Sequence, residues 1–119
     1  MGSNISFGRW GEDKASDYLA RKGYTILARN YRCHYGEIDI IGLKNQEISF
    51  VEVKSRKSLT YGRPIEAVTR IKQQHIKITA HYFLCDYDSY FAKIHFDVIE
   101  ILVTGNKFII NHCQDCFDY

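Results

Sequence analysis

The chain has 119 residues, 45% of them hydrophobic and 25% charged, with a single proline and a formal net charge of +2. That length supports one domain around one core and is too short for two, and the composition excludes a low-complexity or strongly basic chain. No apolar run approaches the roughly 20 residues of a membrane helix and no apolar N-terminal stretch marks a secretory signal, so a cytoplasmic protein that does not enter a membrane is expected.

Residues 1–7 read as a disordered start, although Met1-Gly2-Ser3-Asn4-Ile5-Ser6 also fits the loose N-myristoylation pattern. Gly8 to Arg21 reads as a helix whose Trp10, Ala15, Tyr18 and Leu19 form one stripe, with Gly23 as its C-terminal cap. Tyr24 to Arg32 follows as a first strand. Gly36 to Leu43 and Ile48 to Ser55 are the clearest strands and are joined as a hairpin by Lys44-Asn45-Gln46-Glu47. Ser55 to Arg63 is a polar loop, and Pro64 suits the first turn of a second helix. In that helix Ile65, Val68, Ile71, His75, Ile76, Thr79, Tyr82 and Phe83 recur at helical spacing. Ala92 to Val103 and Lys107 to His112 complete the chain as two strands around Thr104-Gly105-Asn106. The order α-β-β-β-α-β-β predicts a single α/β domain, residues 1–119, with a central mixed five-stranded sheet flanked by helices.

The cysteines are Cys33, Cys85, Cys113 and Cys116. A reducing cytoplasm makes free thiols the expectation. Cys113-Gln114-Asp115-Cys116 is a CxxC pair, and a structural zinc site would need two more ligands from Cys33, His34 or His112. Charge is unevenly spread. From Ser55 to Lys77, six bases (Arg56, Lys57, Arg63, Arg70, Lys72, Lys77) stand against Glu66 alone. From Ile78 to Tyr119, six acids stand against Lys93 and Lys107. This fits a phosphate-facing side and a solvent-facing side, or else two ordinary solvated faces.

The chemistry lies in the hairpin. Glu52-Val53-Lys54 sits inside the apolar run Ile48 to Val53, and Gly36-Glu37-Ile38-Asp39-Ile40-Ile41 repeats the pattern with two acids. Buried charge is costly unless it is paired or binds a metal. Symmetry about Asn45-Gln46 sets Asp39 opposite Glu52 and Glu37 opposite Lys54, with opposed Cβ atoms about 4.5–5.5 Å apart. The other face then carries Ile38, Ile40, Val51 and Val53. Two opposed carboxylates repel unless they hold a cation, and a hard ion such as Mg²⁺ (or Mn²⁺) suits them. Such an ion can polarise a phosphoryl oxygen, with Lys54 stabilising developing negative charge. The alternative is an ion-pair ladder, with Glu37 bridged to Lys54 and the other acids at an exposed edge.

An acid followed across a hairpin by Glu-x-Lys resembles the PD-(D/E)XK nuclease core. Gly8-Arg9-Trp10-Gly11-Glu12, Gly23-Tyr24-Thr25-Ile26-Leu27, Arg29-Asn30, Gly36-Glu37-Ile38-Asp39 and Phe50-Val51-Glu52-Val53-Lys54-Ser55-Arg56 together resemble the YraN family, bacterial nuclease-like proteins of uncharacterised function. The resemblance runs from about Gly8 to Asp97. It implies a restriction-endonuclease-like fold, Asp39 and Glu52 as metal ligands, Lys54 as the catalytic lysine and Glu12 as an additional carboxylate. It also implies Lys72 or Gln73 facing the site. Ile38-Asp39 stands where the motif name has Pro-Asp, and His95 stands where an arginine often precedes Phe-Asp. His34, His75 and His81 read as ordinary polar or core histidines.

Two functions are expected from this reading. The first is a Mg²⁺-dependent endonuclease acting on DNA, including branched or damaged structures, with Asp39, Glu52, Lys54, Glu12 and Glu37 at the site. The second is a non-catalytic DNA-binding or adaptor module that keeps the fold. Phosphate contacts are expected from Arg56, Lys57, Arg63, Arg70 and Lys72, and Tyr61 is a candidate for stacking on a base. Related nucleases often act as dimers, so a homodimer is also expected, though no apolar stretch identifies its interface.

Overall fold

In the computed structural model, which describes residues 4–57 and 68–119, the elements run α1 (Asn4–Arg21), β1 (Thr25–Cys33), β2 (Gly36–Lys44), β3 (Glu47–Arg56), α2 (Arg70–Asp86), β4 (Lys93–Thr104) and β5 (Lys107–Phe117). All five strands join one sheet in the order β1-β2-β3-β4-β5. Pairing is antiparallel except between β3 and β4, which are parallel. A parallel pair needs a crossover, and the segment carrying α2 supplies it. This is the expected α/β domain with a mixed five-stranded sheet and two helices, and it is consistent with a restriction-endonuclease-like fold. No helix among the described residues is long and apolar enough to cross a membrane.

Both sheet faces are apolar, and each is covered by one helix. Ala15 and Leu19 of α1 pack on Ile40, Val51, Ile99 and Ile101, with Trp10 and Tyr18 partly buried beside them. Ile76 and Ala80 of α2 pack on Ile41, Ile48, Phe50, Phe96 and Val98 of the opposite face. α1 begins at Asn4, so residues 4–7 are helical rather than a disordered start, and Phe7 stacks on Trp10. The helix ends where Gly23 takes φ +97°, with Tyr24 N–H donating to the Leu19 carbonyl and Gly23 N–H to that of Ala20. Gly11 sits so close to β3 that a Cβ there would overlap the Ser55 hydroxyl.

α2 begins at Arg70 rather than Pro64. Thr69 is extended, and its hydroxyl accepts the Lys72 N–H at 3.1 Å, which makes it the N-cap. Residues 58–67, with Tyr61, Arg63 and Pro64, lie outside the described residues, as do residues 1–3 of the myristoylation pattern. The apolar periodicity of this helix also needs correction. Ile76, Thr79 and Ala80 are buried, whereas Ile71, His75 and Tyr82, which read as core by spacing, are exposed.

Asn45 and Gln46 both have positive φ, 53° and 66°, which makes the β2–β3 connection a two-residue turn of the type that suits strand twist. The expected register holds from Lys44↔Glu47 to Ile40↔Val51. The clean division of faces does not. Ile38 packs in the α2-side cluster and Ile40 in the α1-side cluster, so the alternation breaks at Asp39. β5 runs on to Phe117, past the expected end at His112, through an irregularity at Asp115 (φ 50°), whose N–H donates to Asp97 Oδ1 at 2.9 Å.

Candidate active site

The break in alternation creates the site. Backbone pairing of β2 with β3 stops at Ile40↔Val51, one step before Asp39 and Glu52. Past that point the Asp39 carboxylate replaces a ladder bond by accepting the Val53 N–H at 2.8 Å. Glu52, on the next residue of β3, is 2% exposed. From α2, Lys72 Nζ reaches Glu52 Oε1 at 3.3 Å. A cleft of about 370 Å³ opens onto these groups, lined by Asp39, Glu52, Lys72, His75, Ile71 and Glu37 among others.

Electrostatics mark the two acids. Burial, partly offset by the Val53 N–H, and the charge of Glu12 push the Asp39 carboxyl up to about 6. Burial and the neighbouring Asp39 charge push Glu52 up to about 8, against the pull of Lys72. Lys54 is lowered by burial and by the Lys72 charge, with Glu52 and Asp39 acting the other way. Lys72 is raised: burial alone would lower it, but Glu52 and Asp39 together outweigh that. Asp39, Glu52, Lys54 and Lys72 therefore share one local field.

The remaining expected residues divide. Glu12, on α1, acts on the Asp39 charge and lies 3.9 Å from Arg29, but it does not line the cleft. Glu37 lies on the cleft rim but pairs with Arg32 at 3.2 Å. The expected Glu37–Lys54 pair is thus corrected, because the strand ladder ends before it. Gln73 turns back to the Val68 carbonyl, and Lys72 is the α2 residue that faces the site. Arg56 is corrected as a phosphate contact: its side chain is only 15% exposed, and Nε engages Glu100 at 2.6 Å. Lys57 and Arg70 are exposed, with Lys57 over the Phe7 ring, and Arg63 lies outside the described residues. His75, which reads as an ordinary polar or core histidine, lines the cleft. Its place three residues after Lys72 on a helix was the available signal, since that spacing turns two side chains the same way.

The donors fit a hard cation. Glu52 Oε2 is buried with no hydrogen-bond partner, a costly state that a cation would relieve. Among the described residues no three His, Cys, Asp or Glu groups converge as a ready metal cage. Mg²⁺ does not require one, because it is commonly held by one or two carboxylates together with waters and substrate phosphates. The zinc alternative finds no ligand set among the described residues. Cys33 donates to Thr79 and His112 is bonded to Asp97, so neither joins Cys113 and Cys116, and all four thiols are free.

A second cavity, about 210 Å³, is lined by Tyr24, Lys44, Glu47, His95, Asp97 and Asp115 among others. Its charges already have partners. His95 bridges Glu47 (2.5 Å) and Asp115 (2.6 Å), and Asp97 accepts from His112 at 2.7 Å. This accounts for His95 before Phe96-Asp97: it ties β3 to β5 across β4.

Uncharacterised protein family UPF0102 matches residues 11–101 of the chain. A UPF0102 protein of Syntrophomonas wolfei is 45% identical over 96% of this chain and 99% of its own length. One from Caldicellulosiruptor bescii is 47% identical over 92% and 95%. One from Clostridium perfringens is 45% identical over 96% and 95%.

Proposed function

The chain belongs to uncharacterised protein family UPF0102, the YraN family, and from its site we propose that it is a metal-dependent nuclease hydrolysing DNA phosphodiester bonds at the Asp39–Glu52 cleft. One observation carries this reading: a buried carboxylate with an unpartnered oxygen, Glu52, shares the lining of an open cleft with a second, half-buried carboxylate, Asp39, whose charge it feels together with those of two lysines. A structural ion pair does not need the second acid or the cleft.

Asp39 and Glu52 would hold Mg²⁺ or Mn²⁺, which would supply Lewis-acid polarisation of the phosphodiester and charge neutralisation. The chain's own groups do the rest. Val53 N–H fixes the Asp39 carboxylate by a 2.8 Å bond, so one oxygen is oriented before any ligand arrives. Lys54 stands where it stabilises negative charge developing on the phosphate. Lys72 pairs with Glu52 at 3.3 Å before a metal binds, and a cation on Glu52 would release its ammonium to a phosphate. Glu12 adds a carboxylate whose charge reaches Asp39, suited to orienting a water. Four free thiols fit a reducing cytoplasm as the setting.

The experiment is cleavage of junction, flap, linear and single-stranded DNA with Mg²⁺ or Mn²⁺. Glu52→Ala is expected to abolish turnover, and Lys54→Ala to slow it by roughly 100-fold or more. Cleavage that survives both substitutions rejects the assigned site. A second reading, the non-catalytic DNA-binding module, is favoured by the Lys72–Glu52 ion pair, in which an ammonium already occupies a cation's place beside Glu52. Tight DNA binding with no cleavage under either metal selects it.

A further inference from the structure

An amphipathic helix normally turns its polar face outward. On α2, Ile71, His75, Ile78 and Tyr82, at intervals of four, three and four, all face solvent, with Ile71 72% and Tyr82 46% exposed. Four of the eight exposed large apolar side chains among the described residues (Ile71, Ile78, Tyr82 and Tyr35) gather on this surface. Tyr35, also 46% exposed, comes from the β1–β2 turn and stacks on Tyr82 with ring centroids 6.0 Å apart and planes 23° apart. His34 meets Tyr35 edge-on. The close approach is set by Gly36, where a Cβ would come within 3.3 Å of His75 and Thr79.

This stripe is continuous with the cleft. Ile71 and His75 are cleft walls, and Gly36, next to Tyr35, is another. From His75 to Tyr82 is seven helical residues, about 10 Å, the length of about three stacked nucleotides at ~3.4 Å each. α2 carries Arg70 and Lys72 at its cleft end and Lys77 in its middle, while its single acid, Asp86, lies one turn past Tyr82, so the cleft end of the stripe is the basic one. Aromatic faces on a stripe whose cleft end is basic suit unpaired bases whose phosphates run into the cleft.

We propose that the Tyr35–Tyr82 pair is a stacking platform for unpaired bases of a nucleic-acid strand leaving the Asp39–Glu52 cleft, so that the preferred substrate carries a single-stranded segment. The proposal rests on the nucleic-acid reading above and narrows its substrate. Phosphates would be held near Lys72 and Arg70, and bases would lie on the exposed tyrosine faces and over Ile78.

The test is fluorescence anisotropy in EDTA, which removes cleavage from the readout, with three labelled DNAs: a blunt duplex, the same duplex with a single-stranded tail, and that duplex with an abasic tail of equal length. The abasic tail keeps every phosphate and loses the bases. Wild type is expected to bind the base-bearing tail about fivefold to a hundredfold more tightly than the abasic one. Tyr82→Ala and Tyr35→Ala should erase that difference, and Tyr82→Phe should keep it. Both positions are exposed, and unchanged circular dichroism would confirm intact folding. Equal affinity for the two tails, or alanine variants that retain the preference, overturns the proposal. So does a dimer that Tyr82→Ala dissociates, which would assign the stripe to a second copy of the chain. No binding to any of the three DNAs rejects the nucleic-acid reading and this inference with it. Base-dependent binding without cleavage in Mg²⁺ rejects the nuclease alone and leaves the platform standing.

Discussion

Asp39 and Glu52 are held in a state that ordinary folding would avoid. Burial raises both, to about 6 and about 8, so the folded chain binds protons more tightly than the unfolded chain, whose values lie near 3.8 and 4.5. Stability linked to these groups is therefore present at low pH and is lost as pH rises from about 4 towards 8. His95 adds to the same trend. Burial alone would lower it, but Glu47 and Asp115 raise it overall, so its contribution also fades as pH rises through its folded value. Urea unfolding of the metal-free protein should show falling stability between pH 5 and pH 8.5. Glu52→Gln should flatten the upper part of that slope and stabilise the metal-free protein at pH 8 by an amount on the order of 2 kcal/mol. A slope unchanged by the substitution would mean that Glu52 is not the strained group. The same substitution should remove any thermal stabilisation by Mg²⁺, which in wild type should be larger at pH 8 than at pH 5.

Among the elements, β5 and the β2–β3 hairpin make separate predictions. β5 is fastened by a polar chain in which Asp97 takes His112 Nε2–H and Asp115 N–H, while His112 meets the Tyr18 hydroxyl at 3.1 Å. Asp97→Ala strips the buried His112 ring and the Asp115 N–H of their partner and should cost about 3–5 kcal/mol in chemical denaturation. In the hairpin, Gln46 sits at φ 66°, a conformation glycine adopts freely. Gln46→Gly should stabilise the fold by about 1 kcal/mol without altering metal binding or cleavage. Both elements show what sequence can and cannot convey. The register followed from symmetry about Asn45-Gln46 because side-chain period and turn length leave little freedom. Its end point did not, because a side-chain carboxylate, Asp39, takes over a backbone bond at Val53. The extension of β5 past His112 depends on a bulge pinned by a distant aspartate, which no local pattern records. In α2 the apolar period was visible, but Ile71, His75 and Tyr82 were read as core because periodicity identifies a stripe and not what covers it.

For the whole molecule, the charge segregation seen along the chain folds into something different from a basic side and an acidic side. Of the acids after Ile78, Asp97, Glu100 and Asp115 are spent on His112, Arg56 and His95. Of the bases among the described residues, Arg56 is held by Glu100 and Lys77 is not among the expected phosphate contacts, leaving Lys57, Arg70 and Lys72, with Lys54 in the site, to meet phosphate. About three or four phosphate contacts predict a log–log salt dependence of DNA affinity with a slope of about −3. Arg56→Ala should lower stability and leave that slope unchanged. A slope near zero would remove phosphate contacts from the account. The proposals for cleavage and for stabilisation by Mg²⁺ both require one divalent cation shared by Asp39 and Glu52. Anomalous diffraction from crystals soaked in Mn²⁺ tests this most directly. The account predicts a manganese peak in contact with both carboxylates and Lys72 moved off Glu52. A map with no peak there, and Lys72 still seated on Glu52, would contradict it.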